Sequence, residues 1–428
     1  MDFKQHLKKY LNDAQINSLI DSLEEENKNA VLLNTHKISV EKFKELYPHV
    51  IPHPLVKNAF LYDKNEYQLG KSILHELGAF YLQEPSAMVV SSLLDVDEND
   101  LVLDLCAAPG GKSIQLSFKM NNKGLIISND ISHQRANIIK ENMERLGIGN
   151  ILCISNDFST IYHKFLNTFD KIVLDVPCSG SGMFRKNDLM KDDWSYNKVL
   201  KFQAIQKELI HYAYQMLKPG GIISYSTCSF SYEEDEEVIL DILKDTDAEI
   251  ITFEDNPLFY QDKSGIGIHL FPSLFPGEGH YICQIKKPGM LSHDTPINKP
   301  NPLIKKLELD TSYSYLDKYQ NVLFVHDRDF IDKYFSIIRY GVKVGELVKD
   351  NEIKYDLHYA RFIDTYPNVL EIDEEMTKKY LRGEALNISY PKGYVLLRHQ
   401  GINIDLAKSD SRIIKNRYPK YLINHKID

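Results

Sequence analysis

Two short blocks put thiols where a fold presents reactive groups. Asp175-Val176-Pro177-Cys178-Ser179-Gly180 and Ser226-Thr227-Cys228-Ser229 each close an apolar run with the character of a buried strand. Upstream, Asp104-Leu105-Cys106-Ala107-Ala108-Pro109-Gly110-Gly111-Lys112-Ser113 reads as a strand end, a glycine turn and a helix start. Such a turn lets backbone N–H groups face an anionic ligand. It lacks the GxGxxG spacing of dinucleotide folds, and Cys106 stands where a P-loop needs its first glycine, which argues against phosphoryl transfer.

A nucleotide-type turn followed by two strand-end cysteines points to thiol-driven methyl transfer to a pyrimidine ring. Cytosine C5 is a poor nucleophile. A thiolate adding at C6 makes C5 enamine-like and able to attack a methyl sulfonium; the C5 proton must then leave and the thiol be expelled. Two cysteines with separate duties fit this sequence of steps, and Asp175 beside the ring would hydrogen-bond N3 and the exocyclic amine. An exocyclic-amine methyltransferase is expected to carry Asp/Asn-Pro-Pro-aromatic at the fourth strand, whereas Cys178 follows Pro177 here. Two core thiols are the bland alternative, but the polar, glycine-rich Pro177–Gly182 loop is poor ground for a core cysteine.

Asp104, Asp130, Asp157 and Asp175 all end strand-like runs. Any one of them is as readily a helix N-cap. Together they describe an S-adenosylmethionine site, with the methionine end at the glycine turn, the ribose at Asp130 and the adenine edge at Asp157. The acidic run Glu233–Glu237 reads as a helix start, where carboxylates suit the dipole. Arg185 and Lys186 are as compatible with a phosphate contact as with a solvated pair.

The elements that must hold these groups alternate strand and helix. Strands are expected at Leu101–Leu105, Gly124–Asn129, Ile151–Ser155, Lys171–Val176, Gly221–Ser226 and Tyr281–Ile285, with helices at Ser132–Leu146 and Lys198–Leu217 between them. Continuous apolar strands separated by helices give a doubly wound α/β fold, Rossmann-like, with sites at the carboxyl ends of a parallel sheet. This core is expected over 81–287. Residues 1–80 read as a small α/β unit, helical over Phe3–Leu23 with an interruption at Asn12-Asp13, and again over Ser39–Tyr47 before Pro48, Pro52 and Pro54. A proline-punctuated linker, 288–302, precedes a strand-rich C-terminal region, 303–428, with strands expected at Tyr319–Val325, Phe335–Val342, Gly393–Arg398 and Gly401–Leu406.

The net charge of −9 excludes a protein that is basic all over, but Lys392, Arg398, Lys408, Arg412, Lys415, Arg417, Lys420 and Lys426 form a C-terminal stripe facing only Asp405, Asp410 and Asp428. The five cysteines form neither a disulfide framework nor a zinc pattern, and no metal is expected. The start Met1-Asp2-Phe3-Lys4 lacks a secretory apolar region, and no apolar stretch is long enough to span a bilayer, so the cytoplasm is the expected compartment.

With these blocks in order, the chain resembles the Nop/Sun-type RNA cytosine-C5 methyltransferases, and more closely their bacterial ribosomal-RNA, RsmF-like branch. The resemblance rests on Gln83–Met88, Leu103–Lys112, Asp175–Gly182, Tyr225–Ser229 with its acidic tail, and Pro276-Gly277-Glu278-Gly279-His280. It implies that Cys228 is the nucleophile and Cys178 assists release. It also implies that Cys106, Ala107, Ala108, Pro109, Gly110, Gly111 and Lys112 wrap S-adenosylmethionine while Asp130, Asp157 and Asp175 line its pocket. The N-terminal region resembles that branch's small RNA-recognition-like domain, and Lys415-Asn416-Arg417-Tyr418-Pro419-Lys420 resembles the closing motif of a PUA-like RNA-binding module. Many relatives carry a tryptophan near the position of Gly401, but the single tryptophan here is Trp194. The expected function is formation of 5-methylcytosine, in small-subunit (16S) ribosomal RNA, with RNA as partner and no obligate protein partner. The alternatives are a tRNA cytosine-C5 methyltransferase and a non-catalytic RNA-binding ribosome assembly factor.

Overall fold

The computed structural model describes residues 2–185, 188–262, 264–292, 301–309, 311–330, 332–348 and 352–423. Its centre is a sheet built on five parallel strands: β1 (Leu101–Asp104), β2 (Leu125–Asn129), β3 (Ile151–Ile154), β4 (Phe169–Asp175) and β5 (Leu217–Thr227), in the order β3-β2-β1-β4-β5. Their residues are apolar on both faces, as a sheet covered twice requires. Leu103 and Ile172 share one cluster with Ile210 and Ala213 of a long helix, α3 (Tyr196–Met216). Val102, Ile126 and Val173 share the other with Ile114 of α1 (Gly111–Lys119) and Ile139 of α2 (His133–Leu146). Each fully buried aliphatic side chain contributes about 1.5–3 kcal/mol, so both helix layers are firmly seated.

Beyond β5 the chain makes helix α4 (Glu236–Asp245) and then β6 (Glu249–Ile251), the short β7 (Ile268–His269) and β8 (Tyr281–Lys286). Sequence pattern places β8 in the parallel series; it is antiparallel to both β5 and β6 and lies between them. The crossover is taken by β6, and β8 inserts from the opposite direction, which apolar patterning cannot reveal. At the other edge, β9 (Ile337–Tyr340) pairs antiparallel with β3. A strand from the C-terminal region thus closes an edge of the core sheet, and that region is docked rather than tethered. The expected strand Phe335–Val342 is divided at Gly341, so that Ile337–Tyr340 joins the core and Val342–Leu347 a C-terminal sheet. The expected strand Tyr319–Val325 is likewise a hairpin turning at Gln320, which has a φ of 53°.

The N-terminal unit is a four-stranded sheet (Asn29–Leu33, Ile51–Pro52, Ala59–Tyr62 and Phe80–Gln83) whose last strand straddles residue 80. The expected interruption at Asn12-Asp13 divides Phe3–Leu23 into two helices, Phe3–Leu7 and Asp13–Ser22, and Asn12 caps the second in a box with Gln15. The C-terminal region holds two four-stranded sheets, one over Tyr315–Tyr355 and one over Val369–Lys415. The second shares a core with the N-terminal sheet: Val31, Phe43 and Phe80 lie in one cluster with Tyr380, Val395 and Leu397.

Three units meet where α2 ends. Arg145 Nη1 donates to the carbonyls of His75 (2.6 Å) and Phe80 (3.3 Å). Arg361, on the helix Leu357–Phe362, donates to the carbonyls of Glu76 (2.5 Å), Arg145 (3.2 Å) and Ile404 (2.9 Å). Lys37 Nζ donates to Leu77 O at 3.0 Å. The carbonyls of His75, Glu76, Leu77 and Arg145 lie at helix ends, where positive charge is favoured, and those of Phe80 and Ile404 belong to strands. Gly78 is the point of closest approach: a Cβ there would lie 2.1 Å from Arg145 O, and its φ is 74°.

Candidate active site

The carboxyl end of the parallel strands gathers most of the residues singled out in the sequence. Cys178 and Cys228, on the loops after β4 and β5, bring their Sγ atoms within 2.8 Å. Lys112 Nζ, from the first turn of α1, donates to Asp175 Oδ2 at 2.7 Å, and Ser226 Oγ donates to Asp175 Oδ1 at 2.7 Å. Burial alone would raise the Asp175 carboxyl; the Lys112 ammonium, His280 and the Lys112 and Ser226 hydrogen bonds outweigh it and hold the group below its ordinary value. For Cys178 the Cys228 sulfur is the largest influence, followed by burial and the Glu234 charge; all three push its thiol up and keep it protonated. Lys112, by contrast, is stabilised as a cation by Asp175, Asp104 and Cys228, which together outweigh its burial.

The five cysteines divide cleanly. Cys153 and Cys283 are core residues, while Cys106, Cys178 and Cys228 are partly accessible. Cys106 lies among carboxylates: burial, then Asp104, Asp175 and Asp130, raise its thiol, so it stays neutral. Asp104 is fully buried, accepts from Ser113 Oγ at 2.6 Å and is pushed by burial to about 7.

In the turn itself, Ala107 and Ala108 are buried and Pro109 is exposed. Gly110 takes a left-handed φ of 106° and begins α1 with no side-chain cap, leaving its first N–H groups to face an anionic group. A Cβ on Gly111 would come within 2.9 Å of Gln83. Asp130 is buried, accepts from Ser132 N at 2.9 Å and lies 3.4 Å from Arg135 Nη1. The turn and the flanking carboxylates therefore fit an adenosyl amino acid: uncapped N–H groups for its carboxylate, and Asp130 at the end of β2 for its hydroxyls. Asp157 is not drawn into this cluster. It is exposed and caps the short helix Phe158–Ile161 through Ser159 N at 3.0 Å.

The acidic run is where the sequence reading falls short. Glu236 does open α4, but Glu234, Asp235 and Glu236 are all fully buried. Glu234 binds the loops of both cysteines. Asp235 accepts from Thr227 Oγ1 at 2.6 Å, and Glu236 pairs with His269 at 2.7 Å. Asp235, Glu236 and His269 bring ligand atoms within 4.8 Å of one another, a grouping absent from the sequence spacing; the Glu236–His269 hydrogen bond already uses one such pair, and no metal is assigned. Sequence reasoning also missed Lys112 as the partner of Asp175. A lysine in the first turn of a helix, where cations are disfavoured, is the signal that was available.

Two further expectations change. Arg185 is neither solvated nor free for a phosphate: its side chain is 5% exposed, ion-paired with Glu278 at 3.1 Å and bonded to Gly277 O at 2.6 Å. Lys186 lies outside the described residues. The C-terminal stripe is dispersed rather than one face. Lys408 pairs with Glu352, Lys415 with Asp410, and Arg398 and Arg417 donate into their own module, whereas Lys392, Arg412 and Lys420 are exposed. Asp405 is buried against Tyr380, and Lys426 and Asp428 lie outside the described residues. The blocks Gln83–Met88 and Pro276–His280 do converge. Glu84 accepts from Glu278 N at 2.7 Å, and Ser86 Oγ meets His280 Nδ1 at 2.9 Å beside Asp175.

Comparison with known proteins adds three matches along the chain. Residues 1–85 match the N-terminal domain of 16S rRNA methyltransferase RsmF, residues 91–286 the 16S rRNA methyltransferase RsmB/F family, and residues 367–424 the methyltransferase RsmF PUA domain. The chain is 31% identical to the ribosomal RNA small subunit methyltransferase F of Vibrio vulnificus (strain YJ016), covering 93% of this chain and 91% of that one. It is 30% identical to the protein of the same name from Shewanella piezotolerans (strain WP3 / JCM 13877), with the same coverage of 93% and 91%. A methyltransferase homolog from Pyrococcus horikoshii superposes with a TM-score of 0.59 at 28% identity, covering 66% of this chain and 93% of that one. The structure of NSun6 from Pyrococcus horikoshii with SFG has the same core fold, with a TM-score of 0.60 at 21% identity over 68% of this chain and 98% of that one. No described helix is long and apolar enough to cross a membrane.

Proposed function

This chain belongs to the RsmF-type 16S rRNA methyltransferases, which use S-adenosylmethionine, and we propose that it forms 5-methylcytosine in small-subunit ribosomal RNA through a covalent Cys228–C6 bond. The observation that carries this reading is the approach of the Cys178 and Cys228 Sγ atoms to 2.8 Å beside the Lys112–Asp175 pair. A methyltransferase that needed no covalent bond to the base would have no use for two accessible thiols in contact.

The residues then take distinct parts. Cys228, with the Lys112 ammonium facing it, adds to C6 as the proton lost from its thiol is taken up at N3. Asp175, held ionised by Lys112 and Ser226, accepts from the exocyclic amine and from N3–H and stabilises the charge that develops there. S-adenosylmethionine supplies the electrophilic methyl group. Cys178 stays neutral beside Cys228 during attack; for release it gives its own proton to solvent, and its thiolate takes the C5 proton as the Cys228–C6 bond breaks and the departing Cys228 sulfur regains the proton held at N3. Cys106 to Lys112 hold the cofactor's methionine end and Asp130 its ribose. Asp157, on the exposed rim, is left for the adenine edge.

RNA is held by the N- and C-terminal units, through phosphates and through aromatic side chains stacked on unpaired bases. A paired target must be flipped out. The cytoplasm is the proposed compartment, and no obligate protein partner is proposed. The test is transfer of labelled methyl to unmodified small-subunit ribosomal RNA and particles, with tRNA alongside. Label at cytosine C5 of ribosomal RNA, lost in Cys228→Ser, is the expected result. Label in tRNA alone would move the substrate. Tight RNA binding with no label would favour an assembly factor.

A further inference from the structure

We infer that Glu234 is a positioning residue that holds the two thiols in register; this rests on the reading of Cys178 and Cys228 given above. Its carboxylate is fully buried. Oε1 accepts from Ser179 N at 2.8 Å and from Gln206 Nε2 at 3.0 Å. Oε2 accepts from Ser229 Oγ at 2.7 Å and from Ser179 Oγ. Ser179 and Ser229 directly follow Cys178 and Cys228, so one carboxylate is bonded to the residue next to each sulfur. Glu234 is itself fixed to β5, because Tyr225 OH donates to its carbonyl at 2.6 Å.

Other bonds cross between the loops. Gly182 N donates to Cys228 O at 2.8 Å and Phe230 N to Ser181 Oγ at 2.7 Å. These fix the backbones but touch neither serine that follows a cysteine. No lysine or arginine among the described residues pairs with Glu234, so serine and glutamine donors satisfy it. Burial pushes the carboxyl up, and those hydrogen bonds oppose the push. Its charge also makes ionisation of Cys178 harder, whereas Lys112 faces Cys228. One side chain thereby sets the distance between the thiols and keeps Cys178 neutral. A glutamine here keeps the size but presents an amide NH2 where two serine hydroxyls now donate.

The test reads the distance apart from the reaction. Diamide takes two electrons and two protons from a pair of neighbouring thiols, giving a disulfide and a hydrazine, and the rate follows how often the sulfurs meet. In the full chain, Glu234→Gln should slow Cys178–Cys228 disulfide formation by about tenfold and methyl transfer by about 100-fold. The Km for S-adenosylmethionine should not change. The double variant Ser179→Ala/Ser229→Ala, which removes both hydroxyl donors to Oε2 and the 3.3 Å contact between the two hydroxyls, should behave alike. In a Cys178→Ala background, formation of the RNA adduct should fall less than about threefold on adding Glu234→Gln, since Cys228 keeps its own backbone anchors. An unchanged disulfide rate in both variants would overturn the inference. So would a loss of adduct in the Cys178→Ala background as large as the loss of methyl transfer when Cys178 is present, which is what a general scaffold residue would give. Slower disulfide formation in a protein that forms no RNA adduct at all would leave the clamp standing and remove the covalent reading instead.

Discussion

Two polar clusters flanking the central sheet are organised by charge of opposite sign. At the carboxyl ends of the parallel strands lie Glu234, Asp235 and Glu236, with Asp104 and Asp175 beside them. At the far end of α2 lie Arg145, Arg361 and Lys37, bonded mainly to backbone carbonyls. The first arrangement positions side chains on loops, because each carboxylate can bind hydroxyls and N–H groups from several segments at once. The second joins units, because one cation can bond main-chain carbonyls of several segments at once. The proposed chemistry thus lies where anions organise loops, and assembly where cations bridge backbones.

The sharpest way to break this contrast is at the thiols. Cys228→Ser should cost methyl transfer on the order of 10^4-fold or more, with the fold and cofactor binding intact; residual turnover near wild type would remove the distinction between the clusters. Lys112→Met should cost about 10²–10³-fold, measured as single-turnover rate, and should leave the melting temperature closer to wild type than Arg361→Ala does. The latter variant reverses the pattern. Losing the Arg361 hydrogen bonds to the carbonyls of Glu76, Arg145 and Ile404 should destabilise the protein by about 2–3 kcal/mol in denaturant titration. It should weaken RNA binding more than it slows single-turnover transfer.

Acid should separate the clusters with opposite signs. Burial, then Arg145, lowers His75 to about 3, and burial, then Arg339, lowers His358 to about 3, both from an ordinary 6.5. The unfolded chain therefore binds protons that the folded junction refuses, so their contribution is whole above 6.5 and is lost as pH falls toward 3. Glu234 and Asp104 are shifted upward, mainly by burial. There the folded state takes the proton more readily, and acid relieves the site. Hydrogen exchange at about pH 5 should loosen segments 75–80 and 355–363 before 175–182 and 226–236; the reverse order would refute the contrast. The smallest effect is expected at Cys153 or Cys283, where alanine should cost less than about 1.5 kcal/mol and leave transfer unchanged.

The parts legible in the sequence were those written in local pattern. The five parallel strands are short apolar runs, and the loops after β4 and β5 carry cysteines in polar, glycine-rich surroundings that no core would choose. What the sequence hid is tertiary. Glu234 looks like any carboxylate at a helix start, since nothing local distinguishes a capping residue from one buried between two loops. Arg185 reads as a phosphate ligand or a solvated cation because its partner Glu278 is far away in sequence. Ile337–Tyr340 read as part of one strand, because apolar character does not tell which sheet a segment will join. Asp104, Asp130 and Asp175 lie where strand ends converge, a juxtaposition the sequence order alone does not show. At Asp157 local capping is what the fold uses.

The central claim is that the two thiols are unequal, Cys228 attacking and Cys178 releasing. The direct measurement is a denaturing gel of protein incubated with S-adenosylmethionine and unmodified small-subunit ribosomal RNA, comparing Cys178→Ala, Cys228→Ser and the double variant. A denaturation-resistant RNA adduct in Cys178→Ala alone is the predicted result. An adduct in Cys228→Ser and none in Cys178→Ala would contradict the account by exchanging the two roles.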